Sequence, residues 1–314
     1  MNEPEIYGKN LFGETVLPPK RGLIADEFLV PPFSVLNARE GFWQERKQAW
    51  IGLGIKGEIG RDDTLTFTGA AKSVDFYRVK EGTRDESLEI GTSVFDPVIC
   101  ELAYRWFCEE GGMVVDPFAG GSVRGIIAEM LNRRYYGIDL RQEQIEANKT
   151  QAAGICPETM PTWVCGDSME ELTGAPQADL IFTCPPYGDL EKYSDDPRDL
   201  SVMEYYTFIA AYKRIIMRAC AKLRNNRFAC VVVGDFRDER GNYRNFVSDT
   251  IAAFREQGLE LYNEAILVTM VASLSMRIKK QFDASRKMGK THQNVLVFVK
   301  GSGKEAAKQA QKVV

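Results

Sequence analysis

The segment IFTCPPYG, residues 181–188, places a thiol, two prolines and an aromatic ring at the end of an apolar run. Pro185 and Pro186 stop a strand and stiffen the turn, and since they lack N–H groups, a backbone carbonyl beside them can point at a ligand. Tyr187 supplies a ring face for stacking. The alternative is a plain strand-ending turn, which two prolines alone would also produce.

A second candidate segment is VVDPFAGG, residues 114–121. Asp116 ends an apolar run and can accept a hydrogen bond from a cationic or amino-bearing ligand, while Gly120 and Gly121 allow the backbone to approach that ligand closely. The segment differs from the GxGxxG and GxxxxGK[ST] patterns, so neither a dinucleotide nor a triphosphate is specifically indicated.

Two more acidic residues follow apolar runs, Asp139 in YYGIDL and Asp167 in CGDS. An acid about twenty residues after a glycine turn typically binds ribose hydroxyls. Each acid by itself is often a helix cap. Together with Asp116 they suit a nucleoside that carries a charged, non-phosphate group.

The elements that must position these residues follow a regular order. Asp96-Pro97 opens an apolar-periodic segment and predicts a helix, because it combines an N-cap with a first-turn proline. Strand-like runs then alternate with helical segments, which predicts an α/β fold with a doubly wound, mostly parallel sheet. The last two strands are separated by a stretch that is interpreted as a loop, so we expect an antiparallel hairpin at one edge.

The chain divides into three predicted parts. Residues 1–90 carry many turn signals and are predicted to form an irregular extension that packs on the core or lids it, with a short helix at 42–50. Residues 91–300 form the main domain. Residues 301–314 are predicted to be a flexible tail.

The two motifs together resemble a known family. DPFAGGS resembles the DPF-x-G-[SG]-[GST] signature of S-adenosylmethionine-dependent DNA methyltransferases that act on amino groups, and TCPPYG resembles their [DNS]-PP-[YFW] motif, in a phage-like form. The resemblance covers roughly residues 92–300. It implies a Rossmann-like methyltransferase fold and direct methyl transfer to an exocyclic amine, cytosine-N4 or adenine-N6, of a base flipped out of double-stranded DNA.

The resemblance also implies roles for particular residues. Asp139 would hold the ribose hydroxyls of S-adenosylmethionine and Asp167 would contact its adenine. The other predicted cofactor-binding residues are Asp116, Pro117, Phe118, Gly120 and Gly121. The predicted catalytic residues are Thr183, Cys184, Pro185, Pro186 and Tyr187.

Cys184 departs from the family pattern, which has Asp, Asn or Ser at this position. A thiol is a weak acceptor, so Thr183 or the carbonyl of Pro185 would take more of the work of orienting the amine. Cytosine-C5 methyltransferases use a cysteine nucleophile, but theirs follows the proline. A C5 enzyme, an RNA base methyltransferase and a non-catalytic nucleic-acid-binding module are therefore the alternatives. Cysteine in place of serine slightly favours cytosine-N4 over adenine-N6.

The predicted nucleic-acid contacts form a basic stretch on a chain whose net charge is −4. A local patch of this kind can follow phosphates on an acidic protein, and a solvated loop is the alternative. The residues are Arg277, Lys279, Lys280, Arg286, Lys287 and Lys290.

Composition limits the other possibilities. His292 is the only histidine and no CxxC spacing occurs, so no metal site is predicted. No apolar run reaches the roughly 18–20 residues that cross a bilayer, and the N-terminus lacks a signal-peptide pattern. We therefore expect a cytoplasmic protein without a membrane partner. The resemblance implies a bacterial or phage-infected cell, and we expect a monomer or homodimer.

Overall fold

The apolar runs of the sequence assemble into one sheet in the computed structural model, which describes residues 23–56, 95–188, 193–269, 271 and 274–310. The strands, in chain order, are β1 (Val35–Asn37), β2 (Met113–Asp116), β3 (Arg134–Asp139), β4 (Thr162–Cys165), β5 (Ala178–Thr183), β6 (Leu223–Val233), β7 (Leu259–Val268) and β8 (His292–Lys300). Residues 1–22 and 57–90 of the predicted extension, and residues 311–314 of the predicted tail, lie outside the described residues.

Helices connect these strands. In chain order they are α1 (Leu23–Phe28), α2 (Gly41–Gly52), α3 (Pro97–Phe107), α4 (Val123–Met130), α5 (Gln142–Ile155), α6 (Ser168–Glu171), α7 (Tyr205–Lys222), α8 (Phe246–Arg255), α9 (Leu274–Ser285) and α10 (Gly303–Gln309). A short 3-10 helix also spans Leu200–Val202.

The sheet has the strand order β1-β7-β8-β6-β5-β2-β3-β4. Neighbouring strands are parallel except where β8 runs antiparallel to β6 and to β7. The chain builds β2, β3 and β4 outward and then returns to place β5 beside β2. This reversal creates a topological switch point between β2 and β5, where ligands bind in open α/β sheets. The predicted doubly wound, mostly parallel α/β sheet is confirmed.

Apolar side chains cover both faces of the sheet. One layer is formed largely by α2, α3 and α4 and contains the fully buried Trp50 and Tyr104. The other is formed largely by α7 and α8 and contains Phe208 and Phe246. Both faces of β5 are buried, which explains the uninterrupted apolar run Leu180–Phe182 at its centre.

Helix α3 begins as its sequence predicts. Asp96 caps the helix by accepting a hydrogen bond from the amide of Val98 at 3.0 Å, and Pro97 occupies the first turn, where its missing N–H costs nothing. The indole N–H of Trp43 also donates to Asp96, at 3.2 Å to either oxygen. This contact ties α2 to the start of α3.

Buried charges attach α2 to the core. Glu101, which is fully buried, accepts hydrogen bonds from Arg46 at 2.5 Å, Trp50 at 2.7 Å and Arg105 at 2.9 Å. Burial by itself would raise the pKa of Glu101, but Arg46 and the other donors lower it overall. The carboxylate is therefore stabilised as an anion inside the protein.

Three details of the sequence interpretation need correction. Residues 35–37, placed in an irregular extension, form strand β1, which pairs with β7 and flanks the antiparallel pair on its outer side. The segment between β7 and β8 contains helix α9 and is not only a loop; an ion pair between Lys279 and Asp283, four residues apart, supports it. Residues 303–309 form helix α10 with Ala306 buried, where a flexible tail was predicted.

Candidate active site

The two motifs meet at the switch point. Strands β2 and β5 are parallel neighbours, with Val115 opposite Ile181, so the loops that follow them leave the same edge of the sheet. The hydroxyl of Thr183, at the end of β5, donates to Asp116, at the end of β2, at 2.6 Å. This hydrogen bond joins the two loops at their bases.

Asp116 is the centre of a buried network. It has no exposed surface and also accepts hydrogen bonds from Arg124 Nε at 2.6 Å, from the Tyr135 hydroxyl at 2.8 Å and from the amide of Phe118 at 3.1 Å. With Thr183 these are four donors, enough for all lone pairs of a carboxylate. The carboxylate is therefore used in shaping the loop and does not line the cavity, and its predicted contact with the ligand stays a prediction.

Arg124 is a residue that the sequence interpretation missed. Its buried guanidinium pairs with Asp116 and donates to the carbonyl oxygens of Phe118 at 2.5 Å and Ala119 at 2.8 Å. Burial lowers the pKa of Arg124, but Asp116 raises it more, so the group stays charged. The only signal in the sequence was an arginine in the first turn of the helix that follows the glycines.

The glycine loop brings backbone to the edge of a cavity. Gly120 has a φ of +51°, and nothing lies within 4 Å of the position that a Cβ would take. Its amide donates to Asp139 at 3.0 Å and its carbonyl accepts from Asn148 at 2.7 Å. The loop is thus held on both sides while its outer surface stays open.

Asp139 and Asp167 both line this cavity. Asp139 also accepts a hydrogen bond from the amide of Arg141 at 2.9 Å, and burial raises the pKa of Asp139 despite these amides. Asp167 caps helix α6 through the amide of Met169 at 2.8 Å. The capping role considered for Asp167 is therefore real, and it coexists with a place in the cavity wall.

The diproline turn forms another part of the same wall. Cys184, Pro185, Pro186 and Tyr187 line the cavity. Thr183 is fully buried, its hydroxyl donates to Asp116, and it does not line the cavity. Its predicted role in orienting a substrate amine stays a prediction.

Tyr187 is fixed from several directions. Its hydroxyl accepts a hydrogen bond from Gln293 Nε2 at 2.6 Å. Its ring packs edge-on against Phe236 and Phe246, with centroids 6.3 and 6.4 Å away. Burial raises the pKa of Tyr187 well above its ordinary value, and Cys184 acts in the same direction. The phenol therefore stays protonated and rigidly placed.

The cavity has a volume of about 710 Å³, within the range of about 300–1,000 Å³ that small-molecule sites occupy. We call its two parts the cofactor side and the substrate side, after the ligands that the sequence motifs predict for them. The cofactor side consists of residues 117, 118, 120 and 121, Asp139 and Asp167. The substrate side consists of residues 184–187, 234–236, 290, 292 and 293. Ala38, Gln44 and Lys47, from the region around α2, also line the cavity.

The basic stretch divides between two places. Arg277, Lys279 and Lys280 lie on α9, which buries none of its residues, and Arg286 and Lys287 follow it. Lys290 instead lines the cavity. The structure therefore separates one member of the predicted phosphate-binding group from the other five.

The described residues do not bring three or more His, Cys, Asp or Glu side chains together in a way that could hold a metal ion. None of the described helices combines the length and apolarity that a bilayer crossing requires. His292 lines the cavity, and burial lowers its pKa.

One family model matches part of the chain. Residues 101–150 match a family of N6/N4 methyltransferases described as DNA methylase. The matched segment runs from α3 through the glycine loop and Asp139 into α5. It supports an amino-methyltransferase relationship for this part of the chain. No curated protein matches the sequence.

Solved structures with a similar fold include three from thermophiles. TrmN from Thermus thermophilus is 15% identical, with a TM-score of 0.45, over 66% of this chain and 49% of its own. A protein from Pyrococcus horikoshii described as an RNA methyltransferase is 14% identical, with a TM-score of 0.46, over 82% and 99%. A protein from Thermus thermophilus described as a DNA modification methylase is 19% identical, with a TM-score of 0.33, over 44% and 51%. The chain thus spans about half the length of the first and third.

Proposed function

We propose that this protein is an S-adenosylmethionine-dependent methyltransferase that methylates an exocyclic amino group of a base in double-stranded DNA, cytosine-N4 or adenine-N6, after the base is flipped into the cavity. One observation carries the proposal: the glycine loop and the diproline turn leave adjacent strands and line one cavity. The cofactor is S-adenosylmethionine.

The cofactor side fits this molecule. Gly120 presents open backbone, Asp139 presents a carboxylate suited to ribose hydroxyls, and Asp167 lies at the end of the next strand. When bound, S-adenosylmethionine supplies a methyl group on a positively charged sulfur, which an amine can accept without a covalent enzyme intermediate. Because the cofactor loop is preformed by Arg124 and Asp116, little ordering is needed on binding.

The substrate side supports a flat ligand that carries an amine. Pro185 and Pro186 line the cavity and have no backbone N–H groups. The polar backbone groups of this turn are therefore carbonyl oxygens, which can accept hydrogen bonds from an amine. The rigid ring of Tyr187 provides a stacking surface for a base. Holding the amine in place lowers the entropy cost of transfer. We assign catalytic positioning to Cys184, Pro185, Pro186 and Tyr187.

The exposed basic residues of α9 suit phosphate binding. Lys279 is paired with Asp283 at 2.6 Å, whereas neither Arg277 nor Lys280 forms an ion pair with a described residue, and both are exposed. Neutralising both, as Arg277→Gln with Lys280→Gln, should reduce the slope of log affinity against log salt by about 2. An unchanged slope would mean that Arg277 and Lys280 do not contact the phosphates of DNA.

Two measurements test the proposed function. Calorimetry should show S-adenosylmethionine binding to the purified protein. Nucleoside mass spectrometry of DNA from a methylase-free host expressing the chain should show N4-methylcytosine or N6-methyladenine. Modified bases in RNA alone would favour an RNA methyltransferase, C5-methylcytosine would favour Cys184 as a nucleophile, and absence of cofactor binding would favour a non-catalytic module.

A further inference from the structure

Three side chains of the substrate side lie close to Gly234, the residue that follows β6. A Cβ placed on Gly234 would lie 3.3 Å from Lys290 Cε, 3.8 Å from Gln293 Cγ and 3.8 Å from the Tyr187 hydroxyl oxygen. All four residues line the cavity. Lys290 therefore lies beside the predicted stacking residue and not on the outer surface with the rest of the basic stretch.

The ammonium group of Lys290 lacks an acceptor among the described residues. The ammonium group lies over the ring of Tyr243, whose centroid is 5.7 Å away. Burial lowers the pKa of Lys290, while Asp235 acts in the opposite direction without forming an ion pair. A half-buried cation without a hydrogen-bond acceptor costs free energy, so an acceptor on a ligand would stabilise it.

Asp235, on the same wall of the cavity, supplies a hydrogen-bond acceptor where Lys290 supplies a donor. Its Oδ1 accepts a hydrogen bond from the amide of Val247 at 3.1 Å, at the start of α8, while no described residue donates to Oδ2. Asp235 also lines the cavity. The wall thus presents a carboxylate acceptor together with an ammonium donor near the diproline turn, where Cys184 is only a weak acceptor.

These two groups match the edge of one base better than the other. Cytosine presents, in sequence, an amine, a ring nitrogen acceptor and a carbonyl oxygen acceptor. Adenine presents an amine and a ring nitrogen, and then a C–H. An ammonium has three donors and can serve both cytosine acceptors, whereas with adenine one acceptor is missing. Sites that hydrogen-bond a ligand discriminate strongly against an analogue without the partner group.

We propose that Lys290 and Asp235 read the amino edge of cytosine, so that the base taken into the cavity is cytosine and the product is N4-methylcytosine. Asp235 accepts from the 4-amino group and Lys290 donates to the ring nitrogen and the carbonyl oxygen. This inference rests on the proposed function and names its substrate.

The test compares Lys290→Met and Asp235→Asn with a charge-matched control, Lys304→Met, whose side chain is exposed on α10. Asparagine can keep the acceptor that Val247 uses. DNA from a methylase-free host expressing each variant at equal level is analysed by nucleoside mass spectrometry. Wild type and Lys304→Met should yield N4-methylcytosine, and each site variant should yield about 10–100-fold less. Calorimetry should give unchanged S-adenosylmethionine binding for all.

The outcomes separate this inference from the proposed function. N6-methyladenine from wild type would overturn the reading of cytosine but keep the proposed function. Equal N4-methylcytosine from Lys290→Met and Lys304→Met would overturn the role of Lys290, and loss of cofactor binding in Lys290→Met would do the same. No amino-methylated base in DNA from wild type would overturn the proposed function, and this inference with it.

Discussion

The cofactor side and the substrate side of the cavity are held in different ways. On the cofactor side, hydrogen bonds within the protein fix the loop: Asp116 takes four donors, and Gly120 is bonded through both its amide and its carbonyl. On the substrate side, Tyr187 is held by aromatic packing and one bond from Gln293, while Lys290 has no acceptor among the described residues.

The difference matches what each side would bind under the proposed function. A loop whose polar groups are satisfied internally is preorganised, and binding a constant small ligand then costs little ordering. A wall with unused donors and acceptors can distinguish between ligands. A ligand that lacks the matching groups leaves buried polar groups of the protein unpaired and therefore binds more weakly. The predictions below test this contrast, from the largest expected effect to the smallest.

Asp116→Ala should destabilise the protein by about 3–5 kcal/mol, because it leaves buried Arg124 without its counter-charge. The donors from Tyr135 and Thr183 also lose their acceptor. Urea denaturation measures the change. The double variant Asp116→Ala with Arg124→Met should recover part of the loss. A change below about 1 kcal/mol for the single variant would mean that the network does not hold the cofactor side.

Tyr187→Ala should lower kcat by about 10–100-fold, since base stacking on an aromatic ring contributes about 1–3 kcal/mol. Cofactor affinity should not change, because the ring lies on the substrate side. Steady-state kinetics and calorimetry on the same preparation separate the two effects. Tyr206→Ala is the control, since Tyr206 is 88% exposed. Loss of cofactor binding in Tyr187→Ala would contradict the division into two sides.

Gly120→Ala should cost about 1–2 kcal/mol of stability, since its φ of +51° lies in the left-handed region. It should also weaken S-adenosylmethionine binding about tenfold or more, because the added methyl occupies open space at the cavity. Gly111→Ala is a matched control: its φ is +74°, its surroundings are equally open, and it does not line the cavity. Equal cofactor affinity in the two variants would show that S-adenosylmethionine does not closely approach the backbone of Gly120.

Glu129→Gln should change the free energy of unfolding at high pH and leave it unchanged at low pH. Burial raises the pKa of Glu129 to about 7, and its carboxyl accepts a hydrogen bond from the amide of Tyr135 at 3.0 Å. A raised carboxyl pKa means that stability is greatest below the ordinary value near 4.3 and is lost as the pH rises through about 7. Glutamine keeps an acceptor without the charge.

The expected gain for Glu129→Gln at pH 8 is about 1–2 kcal/mol, reduced from the full shift because the group is only partly buried. At pH 4 the two proteins should be equally stable. Urea denaturation at both pH values measures this. A gain at both would point to an effect other than titration.

Much of the fold could be predicted from local sequence. Asp96-Pro97 marks the start of α3, and Pro185-Pro186 marks the end of β5, because capping and the loss of N–H groups act within a few residues. The alternation of apolar strands with helical segments was enough for the α/β class. By contrast, β1 has only three residues, and its pairing with β7, more than two hundred residues away, leaves no local signal.

The site divides in the same way. The motifs at 114–121 and 183–187 identified the two loops from residue types alone, since their backbone requirements are local. The sequence did not decide that Asp116 and Thr183, 67 residues apart, would satisfy each other inside the protein. Nor did it separate Lys290, in the cavity, from the basic residues of α9 on the surface. Burial and hydrogen-bond partners depend on distant segments, and only the tertiary structure brings those segments together.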